Sequence, residues 1–153
     1  MKIWNHDEMV ELPPCVDVEK DEMEYIHDLA KEMIETCISH GGVGLAAPQV
    51  GVNKNMFIYS PDAMEFHIVI NPSWVPLERK KAKSVEQCLS LDKEDFYYVE
   101  RYKYISVKYL SISPERNKFI EVNRRIRKDE AVVFQHESDH LKGVTLVESG
   151  VKL

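Results

Sequence analysis

Two histidines and a glutamate near the carboxyl-terminal end have the types and the spacing that a hydrolytic metal site requires. His136 and His140 are four residues apart, so on a helix they lie one turn apart on the same face and both imidazoles can reach one ion. Glu137 lies beside them, where its carboxylate can take a proton from metal-bound water. An apolar run, residues 131–134, leads directly into this HExxH pattern and indicates a buried helix, in which ionisable side chains rarely lack a partner. The pattern therefore predicts hydrolysis at a metal ion.

A third protein ligand must come from elsewhere in the chain, because catalytic zinc and iron sites usually have three protein ligands and one open position. After His140 there is no further histidine, and the only acidic residue is Glu148. Upstream, Cys88 is the best candidate, since a thiolate and two imidazoles would leave one coordination position open. A lone cysteine is also a common buried core residue, and the residues alone leave both interpretations of Cys88 open.

Glycines and small residues fill the segment 41–51, which follows a predicted helix. The segment lacks the GxGxxG pattern and the Lys-Ser/Thr pair of phosphate loops, so it is only a weak indication of a phosphate site. A helix end followed by a turn would account for Gly41 and Gly42. The glycines could instead let the backbone approach a ligand closely, and Gln49 offers an amide donor beside them.

The whole chain has the composition of a soluble globular protein. Its 153 residues are enough for a hydrophobic core, so we expect residues 1–153 to form a single domain. Hydrophobic residues make up 44% and charged residues 30%, which is ordinary for such domains. The net charge of −6 argues against a dedicated nucleic-acid binder, which would normally present a basic face.

Targeting signals are not evident in the sequence. The amino-terminal residues lack the apolar core of a signal peptide, and no apolar run approaches the roughly 20 residues of a membrane span. We therefore expect a cytoplasmic protein, or one that stays in the compartment of its synthesis, with no membrane partner. The cysteines Cys15, Cys37 and Cys88 cannot all pair within the chain, and in a reducing cytoplasm they need not.

Two helices are predicted, the first from apolar residues at three-to-four spacing and the second from the HExxH motif. Residues 21–40 form one amphipathic helix, which the glycines after it end. The HExxH residues belong to a second helix over residues 128–141, ended by Gly143. A last short strand is predicted at residues 144–147.

The middle of the chain reads as strands and turns. Strands are indicated by β-branched or aromatic runs at residues 56–59, 66–70, 104–110 and 118–122. Turns are indicated at residues 60–62, 71–72 and 113–115. Basic runs that favour solvated loops or helix starts lie at residues 79–83 and 124–128. Helix, strands and a second helix together predict an α+β domain.

Three segments, in this order, resemble the signature blocks of the peptide deformylase family. They are residues 42–49, residues 86–90 and residues 135–143. Each block alone is moderately specific, and all three in order, with Cys88 well upstream of the histidine pair, are highly specific. The resemblance implies an α+β fold in which antiparallel strands pack around a central C-terminal helix that carries HExxH, with an N-terminal amphipathic helix.

The resemblance also implies a reaction and a metal centre. The reaction is hydrolytic removal of the N-formyl group from the initiator methionine of new polypeptides, which releases formate. The implied metal is Fe(II), with Zn, Ni or Co able to occupy the site. Cys88, His136 and His140 would be its ligands, metal-bound hydroxide the nucleophile, and Glu137 the general acid and base.

The remaining site residues follow from the same resemblance. Gln49 and the backbone N–H of Leu89 would form the oxyanion hole, and the backbone around Gly44 would bind the substrate peptide as an added strand. The methionine pocket would be lined by three apolar residues, namely Val43, Val132 and Val133. Formylated nascent chains would then be the partners, with a transient contact to the ribosome.

Some positions raise further expectations. Gln87 stands where the family usually has a small residue, so its side chain could narrow the site or change the substrate preference. Glu86 and Asp139 flank the predicted ligands, and we expect at least one of them to orient a ligand histidine; an unrelated salt bridge is the alternative. Arg101 is the candidate for one of the arginines found in the family.

Two other functions compete with deformylation. A HExxH metallopeptidase would cleave internal peptide bonds and would not require Cys88. A non-catalytic protein on the same scaffold would bind a metal ion or a peptide without turnover. Intact Cys88, Glu137 and Gln49 argue against the loss of activity.

Overall fold

The computed structural model describes residues 1–115 and 118–153. The α-helices are α1 (His6–Met9), α2 (Met23–Ser39), α3 (Lys128–Leu141) and α4 (Leu146–Ser149). The strands are β1 (Gly44–Ala46), β2 (Met56–Tyr59), β3 (His67–Pro76), β4 (Lys81–Glu86), β5 (Tyr97–Tyr102), β6 (Tyr104–Ile112), β7 (Phe119–Arg127) and β8 (Val151–Lys152). Short 3-10 turns cover Lys20–Glu22 and Ala47–Val50.

The named strands form two antiparallel sheets. The larger has the order β1-β2-β3-β6-β7, and the smaller has the order β4-β5-β8. Helix α3 packs against β1, β2, β6 and β7 of the larger sheet and against β5 of the smaller. The predicted α+β class, with antiparallel strands and a C-terminal helix, is confirmed. Among the described residues, no helix combines the length and apolar character needed to cross a bilayer.

Helix α3 is anchored to the larger sheet by aromatic packing. Phe134 is fully buried, and its ring lies edge-on to Phe57, with 5.1 Å between the ring centroids. Tyr59 and Tyr109 contact the same ring. Edge-to-face pairs add to the free energy gained by burial, so this cluster fixes the depth at which α3 sits.

Replacing Phe134 with alanine is expected to lower the free energy of unfolding by about 3–5 kcal/mol. The substitution removes the buried ring on which three sheet residues pack and leaves a cavity under α3. Urea denaturation of metal-free protein would measure the loss, with Phe134→Leu as the control that keeps most of the volume. Equal stability of the alanine variant and the wild type would contradict this account of how α3 is held.

Helix α2 is the predicted amphipathic helix, shortened at its start. Residues predicted as its first turn form the 3-10 turn Lys20–Glu22 instead. Its buried face consists of Ile26, Leu29, Ala30, Met33, Thr36 and Cys37. The helix packs against β1 and β2, and Gly41, at φ +70°, turns the chain away from it.

The turn predicted at residues 71–72 is wrong. Asn71 and Pro72 lie inside β3, where the pairing with β6 shifts register between Ile70 and Ser73. Asn71 adopts φ +51°, and its amide exchanges two hydrogen bonds with the backbone of Val18. Such a bulge uses the same residue types as a turn, so the local sequence did not distinguish them.

The two basic runs lie partly in strands. Residues 81–83 belong to β4, where exposed and half-buried side chains alternate, and residues 124–127 belong to β7. The basic side chains occupy the solvent-facing positions of these strands more often than the inner ones. The predicted loop is confirmed at residues 79–80 and the predicted helix start at Lys128, whereas the rest of each run is a polar edge strand, which resembles a loop in composition.

The strand predicted at residues 144–147 is also wrong, because a capping box starts a helix there. Thr145 accepts a hydrogen bond from the backbone N–H of Val147 at 3.1 Å. The side chain of Glu148 accepts one from the backbone N–H of Thr145 at 2.9 Å. These two bonds satisfy donors at the start of α4.

Candidate metal centre

Three potential metal ligands from two parts of the chain meet in the interior. Their ligand atoms, from Cys88, His136 and His140, all lie within 4.8 Å of one another. The pitch of α3 puts the two imidazoles on one face, with 4.8 Å between the ring centroids. Cys88 follows the end of β4, and its Sγ lies 3.5 Å from Nε2 of His140.

Each imidazole is oriented through its other nitrogen. Nδ1 of His136 lies 2.8 Å from Oε1 of Glu86, and Nδ1 of His140 lies 3.0 Å from the carbonyl oxygen of Val144. Both Nδ1–H groups therefore donate outward, which leaves the Nε2 lone pairs for an ion. One thiolate and two such imidazoles are a donor set that fits a divalent transition metal with one position open.

A buried ion-pair network supports His136. Arg101 donates to both carboxylate oxygens of Glu86, at 3.0 and 2.9 Å, and to Oδ2 of Asp139 at 2.6 Å. Burial opposes ionisation of Glu86, but hydrogen bonds from His136 and Arg101 outweigh it and hold its pKa at about 2. Of the two acids expected to orient a ligand, Glu86 contacts His136 directly, whereas Asp139 pairs with the arginine.

Glu137 projects into the same interior space. Its side chain is buried, and Oε1 has no hydrogen-bond partner in the described part of the chain. Burial raises the pKa of Glu137 to about 7. A Cβ atom added at Gly44 would lie 2.6 Å from Oε2 of Glu137, so the glycine in β1 provides the room that this carboxylate occupies.

The amide of Gln49 is held in a fixed orientation. Its oxygen accepts a hydrogen bond from the backbone N–H of Ala46 at 2.9 Å. Its nitrogen then points the other way, 3.1 Å from Oγ of Ser90 and 3.6 Å from Sγ of Cys88. Because the oxygen is engaged, the amide presents N–H groups to the centre.

A cavity of about 870 Å³ opens beside these groups. Residues of the predicted substrate site and oxyanion hole that line it are Val43, Gly44, Gln49, Leu89, Val132 and Val133. Val43 is 44% exposed and lies at the mouth, whereas Val132, at 8%, forms the inner wall. Gln87 is exposed on the rim, where its side-chain amide donates to the carbonyl oxygen of Lys93 at 2.6 Å.

Comparison with known proteins identifies the family. The sequence model of polypeptide deformylase matches residues 1–152. The chain belongs to the polypeptide deformylase family. Peptide deformylase 2 of Bacillus cereus is 43% identical over 119 residues, which cover 74% of this chain and 62% of that protein. The matched part thus spans less than two thirds of the length of this Bacillus relative.

Solved deformylase structures share the fold. The crystal structure of the Thermotoga maritima enzyme has a TM-score of 0.84 and 34% identity, and the match covers 97% of this chain and 95% of that one. A peptide deformylase of Synechococcus elongatus in complex with actinonin has a TM-score of 0.85 and 26% identity, over 98% and 78% of the two chains.

Sequence reasoning did not identify Arg101 or Val144 as supports of the histidines. In β5, buried positions alternate with exposed ones, and Arg101 falls on the buried side. A charged residue at an inward position of a strand indicates a buried partner. The alternation in β5 could therefore have indicated that Arg101 pairs with a buried acid. No local pattern indicated the carbonyl of Val144.

Proposed function

We propose that this chain is a metal-dependent peptide deformylase, with residues 1–153 as one catalytic domain. It would remove the N-formyl group from the formyl-methionine of new polypeptides and release formate. The observation that carries the proposal is the convergence of Cys88, His136, His140 and Glu137 on one cavity, in a chain of this family.

The metal would be held by Cys88, His136 and His140. We propose Fe(II) as the native ion, with Zn, Ni or Co able to replace it. When bound, a divalent ion supplies Lewis-acid chemistry, lowering the pKa of a water molecule and polarising a carbonyl group. Support comes from the Nδ1–H groups of both histidines, which are already engaged with Glu86 and Val144.

Glu137 moves the proton in this proposal. Water adds its oxygen to the formyl carbon, the carbon–nitrogen bond breaks, and formate and a free amine result. Glu137 accepts a proton from the attacking water and delivers it to the leaving amine nitrogen. A buried carboxylate with a raised pKa and an unpartnered oxygen suits both steps.

Negative charge on the formyl oxygen would be stabilised by two donors. The amide nitrogen of Gln49 is one, since its oxygen is already bound to Ala46. The other is the backbone N–H of Leu89, which makes no backbone hydrogen bond within residues 1–115 and 118–153. Losing one such donor typically costs about 10²- to 10³-fold in rate.

The substrate backbone would pair with β1, an edge strand of the larger sheet that borders the cavity. Edge strands offer unpaired N–H and C=O groups to an extended peptide. The methionine side chain would lie against Val132 and Val133, with Val43 at the mouth. Nascent chains would be the substrates, reached by transient contact with the ribosome, in the cytoplasm or another compartment where translation starts with formyl-methionine.

Replacing Gly44 with alanine is expected to lower kcat/KM by about 10²-fold, as misplacement of a catalytic group by about 1 Å can do. The new methyl group would displace the Glu137 carboxylate, whose Oε2 it would approach to 2.6 Å. Metal content should stay unchanged, because the three atoms nearest to the added methyl group all belong to Glu137 and none to a ligand. Unaltered kcat/KM would show that Glu137 does not need this space.

The direct test is formate release from formyl-Met-Ala-Ser by anaerobically purified protein loaded with Fe(II) or Ni(II). We expect turnover that a chelator abolishes and that reloading restores. Cleavage of internal peptide bonds by a Cys88→Ala variant would support a metallopeptidase instead. Stoichiometric metal binding without formate release would indicate a non-catalytic binding protein.

A further inference from the structure

A short N-terminal segment, residues 4–6, is hydrogen-bonded to two segments that border the metal centre. The backbone N–H of Trp4 donates to the carbonyl oxygen of Gln49 at 2.6 Å. The backbone N–H of His6 donates to the carbonyl oxygen of Ser90 at 3.0 Å. His6 is the first residue of α1, so its N–H has no acceptor within that helix and is available for this contact.

The side chain of His6 reaches a third loop. Its Nδ1 lies 3.0 Å from Oγ1 of Thr145, and its Nε2 lies 3.2 Å from Oε2 of Glu148. A neutral imidazole protonated at Nε2 is compatible with both contacts, because the Nε2–H then faces Glu148 and Nδ1 can accept the hydroxyl proton of Thr145, whose other acceptor within reach is Oε1 of Glu148 at 3.3 Å. The imidazole therefore bridges the capping box of α4 to the amino terminus.

The order carboxylate, imidazole, hydroxyl is also that of a nucleophile and its base in hydrolases. Thr145 is only 2% exposed, and its oxygen already accepts the backbone N–H of Val147. A substrate carbonyl has no access to such a hydroxyl. The side chains of Glu148, His6 and Thr145 therefore have a structural role and do not form a second active site.

The peptide group between Val144 and Thr145 connects this array to the metal centre. Its carbonyl oxygen accepts the Nδ1–H of His140. Its N–H donates to Oε1 of Glu148 at 2.9 Å. Because a peptide unit is planar, holding the N–H also fixes the direction of the C=O. Glu148 thus sets the orientation of the carbonyl that orients a metal ligand.

We propose that His6 is a positioning residue for the metal centre, acting through Glu148 and the Val144–Thr145 peptide on His140. Its Nε2 lies 3.2 Å from Oε2 of the Glu148 carboxylate, whose other oxygen accepts the N–H of the peptide. This inference rests on the proposed function in so far as Cys88, His136 and His140 bind a metal ion. By this proposal, a residue near the amino terminus helps to orient a metal ligand near the carboxyl terminus.

The test is an anaerobic Co(II) titration of the full chain, followed by visible absorption, which reports both affinity and ligand geometry. His6→Leu is expected to weaken Co(II) binding by about 10-fold, the lower end of the effect of groups that orient ligands, and to shift the absorption bands. His27→Leu is the matched control, since its side chain is similarly buried, 21% against 18% exposed, and lies on α2.

A second pair of variants separates positioning from general stabilisation. His6→Gln places a donor near the position of Nε2 and should restore the affinity and the spectrum. His6→Asn places its amide near the position of Nδ1, so it keeps the contact to Thr145 and loses the contact to Glu148. It should bind Co(II) as weakly as His6→Leu. This pair also decides the matter if the leucine variant does not fold.

The outcomes keep the two proposals apart. Wild-type affinity and spectrum in His6→Asn and His6→Leu, even with a lower unfolding temperature, would overturn the role of His6 and leave the metal centre intact. Failure of the wild-type protein to bind Co(II) would overturn the metal centre itself, and with it the role of His6.

Discussion

Glutamine in place of Glu137 should leave the metal bound and lower the rate of formate release by about 10³-fold, within the usual range for general acid–base catalysis. Glutamine matches the size of glutamate in a position that is only 4% exposed, so the packing against Gly44 is kept. It has no oxygen basic enough to take a proton from water. The ligands Cys88, His136 and His140 are unaltered, and the metal should therefore stay.

Formate release and metal content, measured on the same anaerobic preparation, would test this prediction. Ser138→Ala is a matched control, because Ser138 is the next residue on α3 and is also buried, yet has no role in the proposed reaction. Near-normal turnover by Glu137→Gln would assign the proton transfer to another group. A variant that had lost its metal would be inactive whatever the role of Glu137. The Co(II) content per chain, measured on Co(II)-loaded protein, shows whether this has happened.

Local patterns in the sequence predicted the parts of the fold whose causes are local. The bounds of β2 and α3 agree with the predicted ranges, since a short apolar run and a helical motif that Gly143 ends are set by neighbouring residues. The histidine pair is likewise a matter of helical spacing. These elements needed no information from distant parts of the chain.

Other features depend on contacts between distant residues, and local reasoning missed them. The bulge at Asn71 is stabilised by Val18, and nothing near Asn71 in sequence indicates that partner. Strand β4 is polar, and β5 mixes aromatic with charged residues; the two strands are stabilised by pairing with each other. Cys88 was a candidate ligand from the residue types alone, but its long spacing in sequence from the histidines left a buried core thiol as an open alternative until the family resemblance favoured the ligand.

The ion-pair network around His136 depends both on local sequence patterns and on contacts between residues far apart in the sequence. Glu86 was expected as a possible support of a ligand from its place beside Cys88. Its partner Arg101 lies on the neighbouring strand, and the third member, Asp139, lies on α3. The network therefore ties the smaller sheet to the metal-binding helix, which no single segment of sequence could reveal.

Replacing Arg101 with methionine should lower the free energy of unfolding of the metal-free protein by about 3–5 kcal/mol, as breaking a buried ion pair does. The Glu86 carboxylate would be left with the Nδ1–H of His136 as its remaining partner in this network, and Asp139 would lose its contact. Metal affinity should fall as well, because Glu86 would no longer be fixed where it orients His136.

A double substitution separates the two consequences of losing Arg101. Glu86→Gln combined with Arg101→Met removes the unpaired buried carboxylate, so part of the lost stability should return. Metal affinity should stay about 10- to 100-fold below that of the wild type, because His136 then lacks its carboxylate acceptor. Urea denaturation without metal and Co(II) titration would measure the two quantities independently. If affinity recovered with stability, the network would serve only to hold α3 on the smaller sheet; if affinity stayed low, the carboxylate of Glu86 acts on the metal ligand itself.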